Sequence, residues 1–186
     1  MRLGPNRVWG KVDLNKFAVW LSTTAPSVFI QTNEKWAIPT IQSVHIVGIG
    51  LVVGSIFMLT LRIFGWAGMD QTLRQTHDRF GPWVTGALWL LLATGGLLVV
   101  GEPVRELVTF SFWLKMALVA GIAVIATAFQ ADLRKKEDTW EQTRVHHGST
   151  KLIAVVALAM LVCIIFLGRL IAYDHIWGAL SPATKA

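Results

Sequence analysis

The chain has 186 residues, of which 54% are hydrophobic and only 15% charged, and it carries a net charge of +6. That length allows one domain. The composition reads as a membrane protein, and nothing in it points to nucleic acid. The excess positive charge is assigned to topology and to contact with anionic lipid.

The first sixteen residues, MRLGPNRVWGKVDLNK, hold no apolar core of signal-peptide type, so the first span is expected to act as its own insertion signal. Within the tail 1–35, Leu14, Phe17, Ala18 and Leu21 recur at helical spacing with Trp20 beside them. Asn15, Lys16, Ser22 and Thr23 fall on the other side, with Asp13 as the expected N-cap and Pro26 as the expected stop. This predicts a short amphipathic helix lying in the membrane interface, or one that binds a partner in a larger assembly.

Residues 36–61 contain no Asp, Glu, Lys or Arg, long enough to cross a bilayer as a helix. Residues 80–101 are likewise uncharged, residues 107–131 carry only Lys115, and residues 152–173 carry only Arg169. Four transmembrane helices are expected, at about 37–62, 82–101, 110–131 and 152–174, within a domain 36–175 followed by a C-terminal tail 176–186. Short connecting loops predict an all-α, antiparallel four-helix bundle. The first span reads HIVGIGLVVGS, and Gly50 and Gly54 stand at GxxxG spacing. With Gly86, Gly95, Gly96 and Gly121 they are expected to let neighbouring helices approach closely.

Basic residues set the orientation. Arg62, Arg74 and Arg79 flank the first loop, and Arg134, Lys135, Lys136, Arg144 and Lys151 the third, whereas the second holds only Arg105. Loops 63–81 and 132–151 are therefore expected in the cytoplasm and both termini outside. Trp36, Trp66, Trp83, Trp113 and Trp177 fall near predicted helix ends, where indoles favour the interface. The lone cysteine, Cys163, reads as a small buried apolar residue.

Polar side chains at depth carry the functional question, because they are costly in hydrocarbon unless they face a neighbour, a cofactor or a pathway. Counted from Trp36 and Trp177, His45 and Arg169 lie at similar depth, roughly 12 Å in at ~1.5 Å per residue. Lys115 enters from the same side and lies shallower; Glu102 and Glu106 are the nearest acidic groups. Such a set suits an anionic or electron-rich ligand. A haem b would offer propionates to Arg169 and Lys115 and its iron to His45; a quinone would offer carbonyl oxygens to His45 and Arg169. Gly48, one turn from His45, would let a flat ring approach. The alternative is that the two cations snorkel to phospholipid phosphates and His45 bonds a neighbouring helix. A bis-histidine haem meets the obstacle that His175, on the same side, lies nearer the surface. On the opposite side His77, His146 and His147, with Asp78, are weaker metal candidates. No nucleophile–base pair, Gly-rich phosphate loop or HExxH-type site points to a stand-alone enzyme.

Several segments resemble a family of small bacterial four-span inner-membrane proteins whose function is uncharacterised. They are SVHIVGIGLVVGSIFMLTLRIFG, GPWVTGALWLLLATGG, FSFWLKMALVAGIAVIATAFQ and GRLIAY, after a short N-terminal helix. The family is similar in a histidine early in the first span, a Leu-Arg pair before a glycine at its end, a lysine opening the third span and Gly-Arg closing the fourth. Here these are His45, Leu61 with Arg62, Lys115, and Gly168 with Arg169. The chain departs from the pattern at Thr60, where an aspartate is usual, and at Gln130, where a histidine is usual. Similarity to four-helix membrane cytochrome b proteins is one of architecture alone. The resemblance implies a bacterial inner-membrane location. Two functions are expected from the whole: a membrane subunit of a larger complex, redox-linked through haem b or quinone, or a cofactor-free structural or assembly subunit docking onto other membrane subunits.

Overall fold

The computed structural model describes residues 11–135 and 148–171, except for the side chains of 11–13 and 134. Every regular element among them is a helix: α1 (Lys11–Ser22), α2 (Ala25–Thr32), α3 (Glu34–Phe64), α4 (Leu73–Gly101), α5 (Pro103–Leu107), α6 (Phe110–Lys135) and α7 (Gly148–Ile171). The helices α3, α4, α6 and α7 are long and apolar enough to cross a membrane. The protein is thus an all-α, multi-pass membrane protein, a four-helix bundle preceded by short N-terminal helices. The C-terminal tail, with Trp177 and His175, lies outside the described residues.

Local chemistry sets the helix ends. The hydroxyls of Ser22, Thr23 and Thr24 each donate to a carbonyl three residues back, at 2.7 Å, which tightens and ends α1. Pro26 does not stop that helix but sits in the first turn of α2, where its missing N–H costs nothing. Asp13 lies inside α1 and is not its cap. Helix α3 ends at Gly65, whose φ of 75° is left-handed; Trp66 N–H donates to Leu61 O at 2.9 Å across this turn. Helix α4 begins about two turns before the expected start near residue 82, because Thr72 and Gln75 form a reciprocal capping box. Gln75 N–H donates to Thr72 Oγ1 at 3.1 Å, and Thr72 N–H to Gln75 Oε1 at 2.9 Å. Pro82 is carried inside this helix.

Three groups of side chains mark three levels of the bundle. Ile63, Leu73, Leu133 and Ala154 pack at the end that holds the first and third loops. Val52, Ala87 and Leu161 pack at mid-height, and Ala18, Leu107, Phe112 and Ile171 at the other end. The ends of α3 and α6 thus meet the starts of α4 and α7, so the four spans alternate in direction. At the first end Arg62 is buried; its Nε donates to Gln71 O at 2.8 Å and ties down the loop after Gly65.

The close helix contacts fall at glycines other than the GxxxG pair. A Cβ added at Gly48 would lie 3.0 Å from Leu91 Cδ2, and one at Gly121 would lie 2.9 Å from Met160 Cε. Around Gly50 and Gly54, in contrast, nothing lies within 4 Å, and both are exposed. The expected packing through Gly50 and Gly54 is therefore overturned: α3 turns Gly48, Val52 and Ser55 inward instead. Gly86 and Gly96 also face open space. Cys163 is exposed, against its expected burial.

Candidate functional site around His45

His45 projects from α3 toward α4. Its Nδ1 lies 2.7 Å from Oγ1 of Thr94, a buried residue of α4. The ring lies over Gly95, where an added Cβ would stand 3.5 Å from His45 Cε1. Glycine at 95 thus admits the imidazole between the two helices, and threonine at 94 fixes its rotation.

The partners limit where the protons lie. Thr94 Oγ1 also lies 2.7 Å from the carbonyl oxygen of Leu90, one turn earlier. A threonine hydroxyl has one proton, and it serves one of these two partners. Where it goes to Leu90 O, Nδ1–H donates to Thr94 Oγ1 and the neutral imidazole keeps its lone pair on Nε2; where it goes to Nδ1, Nε2 carries the proton. Among the described residues Nε2 makes no hydrogen bond and is not sealed in the interior.

Lys115, in the first turns of α6, has its Nζ 5.8 Å from the centre of the Phe112 ring and interacts through space with His45. It also acts on Glu106 of α5. Burial pushes the Glu106 carboxyl above its usual range, while Lys115 and Arg105 oppose that shift and Glu102 adds to it. Arg105 Nη1 holds both oxygens of Glu102, at 2.6 and 2.7 Å. The structure therefore brings His45, Thr94, Lys115 and Glu106 to one end of the bundle.

Arg169 is exposed on α7. Gly48 offers no wall for a flat ring, because Leu91 and Leu90 fill that space; its role is contact between α3 and α4. The second histidine that a bis-histidine haem would need, His175, lies outside the described residues, and the wall at Gly48 is closed. On the opposite side His77 Nδ1 lies 3.5 Å from Asp78 Oδ1 and its ring centre 6.3 Å from that of Phe129. No group of three metal-ligating side chains is present among the described residues. His146 and His147 lie outside them.

Thr94 is the site residue that sequence reasoning misses. Its signal is a hydroxyl residue beside a glycine pair, deep in an uncharged span. No protein-family model, curated protein or solved structure matches this chain.

Proposed function

We propose that this protein is a membrane subunit of a larger bacterial inner-membrane complex, redox-linked through a quinone-class ligand held at His45. The observation that supports this reading is the 2.7 Å contact of His45 Nδ1 with Thr94 Oγ1, which holds the ring against α4 and leaves Nε2 without a partner among the described residues. The contact of Thr94 with Leu90 O is the one that threonines in helices ordinarily make, and the bond between His45 and α4 is also what the packing alternative expects. Lys115 adds a cationic donor on the same side, suited to a ligand oxygen or to a lipid phosphate. The likeness to small four-span bacterial proteins belongs to this reading, as does an orientation with loops 63–81 and 132–151 in the cytoplasm.

A second reading is favoured by a separate observation. Gly50, Gly54, Gly86 and Gly96 leave small-residue faces of α3 and α4 unfilled. Faces of that kind suit a docking subunit that holds no cofactor. The deciding experiment is an absorption spectrum and a solvent extract of the purified protein, compared with His45→Ala. We expect quinone in the wild-type extract, its loss in the variant, and no Soret band. A Soret band that shifts on reduction would replace quinone by haem b. A blank spectrum and a quinone-free extract, with a stably co-purifying partner, would leave the docking subunit.

A further inference from the structure

We propose that the cavity between the first turns of α3 and the α4–α5 junction holds the headgroup of a phospholipid that carries a primary ammonium, as in phosphatidylethanolamine. The cavity has a volume of about 590 Å³ and is lined by Glu34, Lys35 and Pro39 of α3, by Glu102, by Arg105 of α5, and by residues of α1 and α2. Small-molecule sites span roughly 300–1,000 Å³, so a headgroup and the start of its glycerol fit within it. His45 does not line it. Helix α3 has 31 residues, about 46 Å at ~1.5 Å per residue, against a hydrocarbon core of about 30 Å. The charged Glu34 and Lys35 and the exposed indole of Trp36 stand at its start, which sets its first turns in the headgroup layer.

The lining holds donors without acceptors and acceptors without donors. Arg105 spends only Nη1, on the two oxygens of Glu102 at 2.6 and 2.7 Å. Its Nε is buried and has no hydrogen-bond partner among the described residues. The Nε–Nη2 edge, the side of a guanidinium that grips two phosphate oxygens at once, thus lacks an acceptor. The side chain as a whole is 38% exposed, so a turn of the guanidinium brings that edge to the cavity. Lys35 enters no ion pair among the described residues and supplies a second cation. Glu34 has no ion pair among them either, and a carboxylate only accepts. The carbonyl of Lys35 loses its usual helical donor, because the residue four positions on is Pro39. Phosphate oxygens suit Arg105 and Lys35; the N–H bonds of an ammonium suit Glu34 and the Lys35 carbonyl. The charges of Glu34, Lys35, Glu102 and Arg105 cancel, so an anionic headgroup without an ammonium leaves Glu34 unmatched. A choline headgroup carries methyl groups in place of N–H bonds and donates nothing to either acceptor.

The test titrates the full chain in detergent micelles with dihexanoyl phosphatidylethanolamine, phosphatidylcholine and phosphatidylglycerol, and with free phosphoethanolamine. Native mass spectrometry counts the bound molecules. One ethanolamine lipid per chain should bind about 10-fold more tightly than the choline lipid, the worth of one hydrogen bond to a charged group. Glu34→Gln should remove that preference and leave binding of the choline lipid unchanged. Arg105→Lys, which keeps the charge but not the fork, should weaken all three lipids alike; circular dichroism checks that each variant stays helical. Equal affinities for the ethanolamine and choline lipids, or a preference that survives Glu34→Gln, would overturn the proposal. Tighter binding of the glycerol lipid would overturn it in favour of a plain anion site. Free phosphoethanolamine bound as tightly as the lipid would overturn the membrane as the source of the ligand.

Discussion

Alanine placed at Gly48 and at Gly54 should have different consequences, although both are glycines of one helix. Each substitution gains the same intrinsic helix preference, roughly 0.5–1 kcal/mol. The difference between the two variants therefore isolates the contact each new methyl makes. At Gly54 that methyl meets nothing within 4 Å, so the contact term is close to zero. At Gly48 it would lie 3.0 and 3.1 Å from Leu91 Cδ2 and Cγ and 3.5 Å from Leu90 Cδ2. Leu91 must give way by a few tenths of an ångström, and crowding of this kind costs about 1–3 kcal/mol. Leu91 is a flexible side chain and only half-buried, which favours the lower end of that range. We expect Gly48→Ala to be less stable than Gly54→Ala by about 1 kcal/mol in reversible unfolding from mixed micelles. Equal stabilities, or a larger loss at Gly54, would refute the assignment of the α3–α4 contact to Gly48.

Other consequences follow from the same geometry. Burial raises the Glu106 pKa, so its contribution to stability is fully present below the ordinary value of 4.5 and is lost as pH rises through the raised value. Glu106→Gln should accordingly match the wild type in thermal midpoint at acid pH and exceed it at neutral pH; a less stable variant at neutral pH would contradict this. Gly101→Ala should loosen α2 from α4, because its Cβ would lie 2.9 Å from Ile30 Cγ2 and 3.0 Å from Ile38 Cδ1; a loss of about 1–3 kcal/mol is expected, and a neutral result would show that α2 is not held there. For topology, cysteines at the exposed positions Asp70 and Val104, introduced on a Cys163→Ala background, should respond oppositely to an impermeant reagent in intact cells. Labelling at 104 alone is predicted; labelling at 70 alone would invert the orientation.

The four spans are legible in the sequence because a charge-free run of bilayer length is too long and too apolar to be hidden in a small water-soluble core. Their ends are less so. The start of α4 is hidden behind Arg74, Asp78, Arg79 and Pro82, which have the composition of a loop, although the Thr72–Gln75 capping pair stands in the same stretch. Azimuth is not legible at all. A helix that is apolar all round carries no stripe to mark its inner face, so the spacing of Gly50 and Gly54 suggests contacts that Gly48 makes instead. The same gap explains the site. Counting residues from the interfacial tryptophans gives depth and draws His45 and Lys115 to one end, but depth does not say which way a side chain points. Thr94 is inconspicuous because a threonine in a span commonly bonds only its own helix, and here it bonds both its own helix and His45.

The central claim is that His45 offers Nε2 to a quinone-class ligand, and nitrogen-15 NMR of histidine-labelled protein in lipid tests it most directly. At neutral pH, with His45→Ala used to assign the signal, the account predicts that the Nε2 resonance of this residue shifts when a short-chain benzoquinone is added. An Nε2 resonance that saturating benzoquinone leaves in place would contradict it.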